Sequence, residues 1–260
     1  MGDIRAKKSF GQHFLKDEKT ARRIVDSLHN PDKLPVLEVG PGMGMLTKYL
    51  LMKYATLVHV AEADKESVAY LKQHYPELGD RVHAGDFLKM PLHEMFPQGL
   101  VLIGNFPYNI SSQIMFKVLE HKNLVHEVVG MFQKEVAQRI HSTSGNKVYG
   151  VLSVLMQAFY DTNYLFTVGQ SVFQPPPNVN SGVLRINRNP DKHLPCNEKI
   201  FFRVVKKAFN QRRKTMRNSL KTEITAGIAK DDIFNKRPEQ LTVEQLKELA
   251  AMIEEAQKCG

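Results

Sequence analysis

The sequence predicts an α/β fold of the doubly wound kind, a mainly parallel sheet with helices on both faces, followed by a small all-helical domain. Three observations carry this. Apolar, β-branched runs of strand length alternate with amphipathic stretches of helix length through the first half of the 260-residue chain. The first such run, Val36-Leu37-Glu38-Val39, opens into Gly40-Pro41-Gly42-Met43-Gly44 and then a helix start, the order in which these sheets offer bare backbone to a ligand. Beyond Pro190 the alternation stops, and basic helical sequence with apolar stripes takes over.

The elements follow in order. Asp17 is placed as an N-cap, with Ala21, Ile24, Val25 and Leu28 at helical spacing behind it. Pro31 and Pro35 close that helix and lead into the strand Val36–Val39, the glycine turn and a helix from about Met45 to Lys53. Thr56–Ala61 is β-branched and apolar and ends at Glu62, which reads as a second strand with a carboxylate at its C-terminal end. A helix over Lys65–His74 follows. Strands are expected at Arg81–Ala84, ending in Gly85-Asp86, and at Val101–Gly104, ending in Asn105-Phe106-Pro107-Tyr108. Ser111–His121 reads as a helix, Val125–Phe132 as a strand, and Gln133–Ile140 and Gly150–Phe159 as helices. Residues 161–168 and 182–187 form a last strand pair around a loop holding Pro175-Pro176-Pro177. Asn197–Leu220 is expected as one basic helix, with Val204, Val205, Ala208 and Phe209 facing a core. Thr242 and Gln245 form a capping-box pattern at the start of the last helix, with Leu241 and Leu246 as its hydrophobic staple. The domain boundary is expected at 190/191, giving domains of 1–190 and 191–260.

Composition narrows the function classes. The hydrophobic share of 42% is that of a globular chain, and no apolar run is long enough to span a bilayer. The segment Met1-Gly2-Asp3-Ile4-Arg5 has no signal-peptide core. Two cysteines, Cys196 and Cys259, make no disulfide framework, so a reducing cytoplasm is the expected location. Cys, His and carboxylate residues show no metal-ligand spacing, and no metal is expected. The net charge is +9, but it is concentrated. Residues 198–221 hold nine Lys and Arg against Glu198 alone, so the rest of the chain carries about one net charge. A basic block interleaved with apolar residues points to a polyanion partner rather than to a merely solvated helix face. Residues 4–8 are basic as well. The RNA-contact candidates are Lys7, Lys8, Lys206, Lys207, Arg212, Arg213, Lys214 and Arg217.

The strand ends carry the chemistry. The glycines fall at alternate positions, unlike the G-x-G-x-x-G spacing of dinucleotide folds. Glu62 lies 22 residues after Gly40, near the separation at which such folds place a ribose-binding carboxylate. Asp86 follows the next strand, where an ionised carboxylate can accept from an adenine amino group. Singly, each is an ordinary strand end or turn cap; together, with Gly40 and Gly42 before them, they suit S-adenosylmethionine. Asn105, Pro107 and Tyr108 then suit an exocyclic amine. The adenine N6 lone pair is delocalised, so the amine is a poor nucleophile. The Asn105 side-chain oxygen and a backbone carbonyl near Phe106–Pro107 can accept its two N–H groups and aim the lone pair, while Tyr108 stacks on a flipped base. A direct displacement needs neither a covalent enzyme intermediate nor a strong base.

These residues resemble the adenine-N6 dimethyltransferases of ribosomal RNA, of the bacterial small-subunit type. The resemblance spans nearly the whole chain and rests on Lys8-Ser-Phe-Gly-Gln-His-Phe-Leu15, Glu38-Val-Gly-Pro-Gly-Met-Gly44, Glu62, Gly85-Asp86, Asn105-Phe-Pro-Tyr-Asn-Ile-Ser-Ser112, Gln133-Lys-Glu-Val-Ala137, Tyr149-Gly-Val-Leu-Ser153, Phe173-Gln-Pro-Pro-Pro177 and Phe209-Asn-Gln-Arg-Arg-Lys214. It implies a Rossmann-like class I S-adenosylmethionine-dependent methyltransferase domain with a small C-terminal helical domain. It also implies transfer of two methyls to each of two adjacent adenosines near the 3′ end of 16S rRNA in the 30S particle, with a role in subunit biogenesis. Carried over by position, His13, Leu15, Gly40, Glu62, Asp86 and Asn105 line the cofactor site. The family usually has Asn where His13 stands and Leu where Phe106 stands. A cation beside a sulfonium is unfavourable, so His13 is expected to stay neutral or turn its ring away.

Two other readings remain open on sequence. One is an enzyme acting on an adenine of large-subunit rRNA; the run Gln211–Leu220 and the tail helix favour the small-subunit type. The other is a non-catalytic RNA-binding assembly or transcription factor, against which Asn105, Pro107 and Tyr108 argue. The absence of a dimer motif favours a monomer.

Overall fold

The computed structural model describes Lys7 and residues 11–258. Two units emerge from the contacts within the chain, one running up to Ala137 and including Thr162–Arg188, the other made of Gln138–Asp161 and the chain from Asn189 onward. The expected boundary at 190/191 differs from this, because residues 138–161 group with the C-terminal helices. That stretch supplies a helix for the helical unit's core, a non-local pairing with no mark in its local sequence.

The first unit is built on a seven-stranded sheet. Its strands are β2 (Val36–Val39), β3 (Val58–Glu62), β4 (Val82–Ala84), β5 (Leu100–Asn105), β6 (Val125–Gln133), β7 (Tyr160–Val168) and β9 (Ser181–Arg188), in the order β4-β3-β2-β5-β6-β9-β7. The pairs β4–β3, β3–β2, β2–β5 and β5–β6 are parallel, and β6–β9 is antiparallel. A separate two-stranded ribbon pairs β1 (Phe14–Leu15) with β8 (Phe173–Gln174). Helices α1 (Glu18–Asp26), α2 (Thr47–Tyr54), α3 (Lys65–His74), α4 (Leu92–Met95) and α5 (Ser111–Glu120) connect the strands. The parallel strands are apolar almost throughout, as burial on both faces requires: all four residues of β2 are buried. Asp17 caps α1 through the Thr20 N–H, as its position predicts. Helix α2 starts at Thr47 rather than Met45, because Gly44 is still in the left-handed region at φ +81°. Strand β3 starts at Val58 rather than Thr56, after a 3-10 turn over Ala55–Leu57 in which Ala55 has φ +47°.

Strand order decides where a ligand sits. The chain runs outward from β2 to β4, then returns to β5 on the other side of β2, so the switch point lies between β2 and β5. Glu38 pairs with Ile103 in that register. Continuing it by two residues brings Gly40 opposite Asn105. Gly104 makes the approach possible, since a Cβ there would lie 2.6 Å from the Val39 carbonyl oxygen.

In the second unit, α7 (Val151–Gln157) and α10 (Val243–Lys258) each pack on α8 (Glu198–Asn210), and Phe201, Val204, Val205, Leu246, Leu249 and Ile253 are fully buried. Helix α6 (Lys134–His141) leads from β6 into this unit. The capping box of α10 forms as read, with reciprocal bonds of 3.1 and 3.2 Å between Thr242 and Gln245. The single helix expected over Asn197–Leu220 is instead two, α8 and α9 (Met216–Ser219). At the break over residues 211–215, the Arg212 guanidinium donates to the carbonyls of Asn146 and Lys147. No described helix is long and apolar enough to cross a membrane.

Candidate active site

The C-terminal ends of β2, β3, β4 and β5 surround a cleft of about 380 Å³, lined among others by His13, Gly40, Gly42, Glu62, Asp86, Asn105, Pro107 and Tyr108. Eight of the nine residues expected to bind the cofactor or act at its edge are therefore brought together. Leu15 is the exception. It is 6% exposed and packs in the hydrophobic core, where β1 pairs with β8. Strand alternation turns Leu15 inward and leaves Phe14 to line the cleft.

The Phe14 ring keeps the glycine turn tight. Gly42 has φ +56°, and a Cβ on it would lie 2.8 Å from the Phe14 ring. Its N–H donates to Glu62 Oε2 at 3.0 Å, and the Asp64 N–H donates to Glu62 Oε1 at 2.9 Å. Glu62 is buried, and desolvation pushes its pKa up against the pull of these backbone donors. Each carboxylate oxygen retains capacity for one further donor, which fits a pair of ribose hydroxyls. Asp86 is exposed at the end of β4, where its Oδ1 accepts from the Leu88 N–H at 2.9 Å and opens the 3-10 turn Phe87–Lys89. A positive-φ cradle, a carboxylate with spare acceptor capacity and a second carboxylate one strand further on match the nucleoside end of S-adenosylmethionine.

At the end of β5 the orientation of an amide is settled by one contact. Asn105 Nδ2 donates to the His13 carbonyl at 2.8 Å. The carbonyl can only accept, so Nδ2 is committed there and Oδ1 is the end left for a ligand. The Phe106 ring is fully buried edge-on to Phe132, 5.2 Å between centroids. Gly130 makes room for it, since a Cβ at that position would collide with the ring. The departure Phe for Leu is thus absorbed in the core, below the backbone that lines the cleft. The Pro107 carbonyl accepts the Ile110 N–H at 3.2 Å. Tyr108 stands half-buried, its hydroxyl 2.5 Å from Ser181 Oγ, and burial raises its pKa. The phenol is therefore neutral at physiological pH. His13 lies beside it, ring centroids 5.4 Å apart, with Nδ1 2.9 Å from the Pro175 carbonyl oxygen. That acceptor requires Nδ1 to carry the proton, so a neutral His13 presents a bare Nε2.

Sequence reasoning missed Phe14, Gly11 and Ser181. Gly11 abuts Asn109, with a hypothetical Cβ 2.7 Å from its Oδ1. Phe14 meets Gly42 28 residues on, Gly11 meets Asn109 98 residues on, and Ser181, on β9, meets Tyr108 across 73 residues. Among the basic candidates, Lys7 is ion-paired with Asp64 and Glu66 at 2.5 and 3.0 Å. Lys207 pairs with Glu223 at 2.9 Å, Arg217 donates to Ala229 and Asn235, and Arg212 holds the 146–147 carbonyls. Arg213, Lys214 and Lys206 are exposed. Lys8 lies outside the described residues. Among the described residues no group of three or more His, Cys, Asp or Glu could hold a metal ion.

A parallel sheet with a glycine turn, a ribose-type carboxylate and an oriented amide at its switch point defines a Rossmann-like class I S-adenosylmethionine-dependent methyltransferase fold. Two solved structures share it. A dimethyladenosine transferase from Plasmodium falciparum superposes with a TM-score of 0.76, covering 95% of this chain and 98% of that one at 24% identity. The 23S rRNA methyltransferase ErmE gives 0.66, covering 90% and 98%, also at 24% identity. The chain belongs to the ribosomal RNA adenine dimethylase family, whose model matches residues 4–258. Relatives named ribosomal RNA small subunit methyltransferase A include one from Cytophaga hutchinsonii, 54% identical over 97% of this chain and 99% of its own. Another, from Flavobacterium johnsoniae, is 55% identical over 98% of both chains.

Proposed function

We propose that this protein dimethylates N6 of two adjacent adenosines near the 3′ end of 16S rRNA in the 30S particle, with S-adenosylmethionine as donor. The observation that carries the reading is the Asn105 amide, whose committed Nδ2 leaves Oδ1 as an acceptor in the cleft. S-adenosylmethionine, when bound, supplies an electrophilic methyl group. Glu62 holds the ribose hydroxyls, Asp86 accepts from the adenine amino group, and Gly40 and Gly42 leave the backbone bare. Asn105 Oδ1 accepts one N–H of the target amine. The second acceptor is a backbone carbonyl of the Phe106–Pro107 segment. Together they pull the nitrogen lone pair out of conjugation and orient it. Tyr108, steadied by Ser181 and flanked by His13, supplies the face on which a flipped base stacks. After transfer the cationic amine loses its proton to solvent, so no residue here has to act as a strong base.

Arg213, Lys214 and Lys206 are assigned to phosphate contacts, which position the enzyme without reading sequence. Adenine choice comes from the acceptor pair in the cleft and from RNA shape. The relatives' name favours the small subunit over the large one as substrate. The protein acts as a monomer in the cytoplasm and takes part in subunit assembly. The test is labelled-methyl transfer to undermethylated 30S and 50S particles, with the modified nucleoside identified. N6,N6-dimethyladenosine in the 30S particle alone is expected. Label in the 50S particle alone would move the reading to the large subunit, and cofactor binding without transfer to either would leave a non-catalytic RNA-binding protein.

A further inference from the structure

One buried cation takes no part in the chemistry above. Lys117, in the last turn of α5, is 7% exposed. Its Nζ donates to the carbonyls of Leu88 and Met90 at 2.9 and 2.7 Å and lies 5.5 Å from the centroid of the Phe87 ring. Removing an ammonium from water is costly, and here burial lowers its pKa. A methionine would fill the same slot without that cost. The charge is explained by what it holds. Leu88 and Met90 belong to the turn that Asp86 opens: Asp86 caps the Leu88 N–H, and the Met90 N–H closes back on the Phe87 carbonyl at 3.1 Å. Asp86, Phe87 and Leu88 all line the cleft. Helix α5 also receives the other side of the site, since Ser111 Oγ in its first turn donates to the Tyr108 carbonyl at 3.2 Å. One short helix thus holds the base-stacking loop at its start and the Asp86 turn two helical turns further on.

We infer that Lys117 is a positioning residue for the adenine end of the cofactor site, fixing the Asp86 carboxylate and the Phe87 ring by clamping the carbonyls of their turn. This rests on the reading that the cleft takes S-adenosylmethionine, and it extends that reading to discrimination among purines. With the turn clamped, Asp86 presents an acceptor where an amino group must be. With the clamp released, the carboxylate moves freely in solvent and the preference for an amino-bearing base declines.

The test is calorimetric titration of wild type and Lys117→Met with two ligands, S-adenosylhomocysteine and its analogue carrying hydrogen in place of the adenine amino group. Wild type is expected to prefer S-adenosylhomocysteine by about tenfold or more, a single charge-assisted hydrogen bond. Lys117→Met is expected to bind S-adenosylhomocysteine at least about tenfold more weakly and to lose most of that preference. At saturating S-adenosylmethionine its kcat should stay within about threefold of wild type, the mark of lost ground-state binding. An unchanged affinity in Lys117→Met overturns the inference, and so does an equal weakening of both ligands, which would report a general loosening of the fold. If the Met variant does not fold, Lys117→Gln is read against the same outcomes, because its amide can still reach one carbonyl. Failure of the wild type to bind S-adenosylhomocysteine would overturn the cofactor reading itself, a result distinct from wild-type binding that Lys117→Met leaves unchanged.

Discussion

Asn105 shows how much a single hydrogen bond settles. Its side chain could face the cleft with either end, and the two ends do opposite things to an amine. The bond from Nδ2 to the His13 carbonyl commits the donor end and leaves Oδ1 as the free acceptor of a cleft-lining residue. Asn105→Ala removes that acceptor and is expected to lower kcat by about 100-fold or more, the scale found when one preorganised hydrogen-bonding group is lost from a reacting centre. Asn105→Asp keeps an acceptor but turns the donor that faces the His13 carbonyl into an anion. It is expected to lose a similar factor in kcat while also disturbing the segment carrying His13 and Phe14. Cofactor affinity measured alongside should fall in both, since both lose the bond to the His13 carbonyl, and fall further in Asn105→Asp, where an anion faces that carbonyl. Asn105, Glu62, Asp86 and the glycines were legible because a strand end followed by a particular side chain is a local pattern. Lys117 and Ser181 were not, because nothing near either residue in sequence says that its partner lies some 27 to 73 positions away.

At the scale of elements, the turn between α8 and α9 is where local reading and structure part. Periodicity runs on through Gln211–Leu220, which predicts a continuous helix with Arg212, Arg213 and Lys214 on one solvated face. The structure divides those three residues. Arg212 turns back onto the carbonyls of residues 146 and 147 and lies 3.9 Å from Glu239, whereas Arg213 and Lys214 stay exposed. The capping box of α10, by contrast, was readable because all its partners lie within four residues. The division of the arginine run makes separate predictions for neighbours of the same charge. Arg213→Ala with Lys214→Ala is expected to weaken binding to 30S particles and to flatten its salt dependence by about one to two in the slope of log K against log salt, with the melting temperature unchanged. Arg212→Ala is expected to destabilise the helical unit by about 1–3 kcal/mol, since it strands two carbonyls and a half-buried carboxylate. If all three substitutions act alike on melting and on binding, the division is wrong.

In the sheet-containing unit, fully buried Glu38 and half-buried His59 have effects of opposite sign on the stability of the molecule as a whole. Glu38, on β2 beneath the glycine turn, is fully buried; its Oε2 accepts from Thr47 Oγ1 at 2.6 Å, yet burial pushes its pKa up to about 8. The folded chain therefore binds a proton there that the unfolded chain has released above its ordinary value of 4.5. Stability from this site is complete at acid pH and is lost as pH rises through about 8. His59, on β3, sits 3.0 Å from His83 Nε2 and edge-on to Phe96, and burial, followed by the charges of His83 and Arg81, lowers its pKa to about 4. Here the unfolded chain binds the extra proton, so stability is present above the ordinary 6.5 and is lost as pH falls toward 4. Together they predict a broad stability maximum between about pH 4.5 and 6.5, where the two linkages oppose each other, with a fall below it from His59 and a fall above it from Glu38. Glu38→Gln keeps the Thr47 bond without the ionisation and should flatten the alkaline limb, which linkage bounds at about 5 kcal/mol. His59→Phe keeps a ring against Phe96 and should flatten the acid limb, a smaller effect of about 1–2 kcal/mol because the site is part-exposed. Urea melts of the three proteins from about pH 3.5 to 9 decide it. Each variant must flatten its own limb and leave the other standing, and a variant that shifts the whole curve uniformly would show that its site contributes packing rather than a proton.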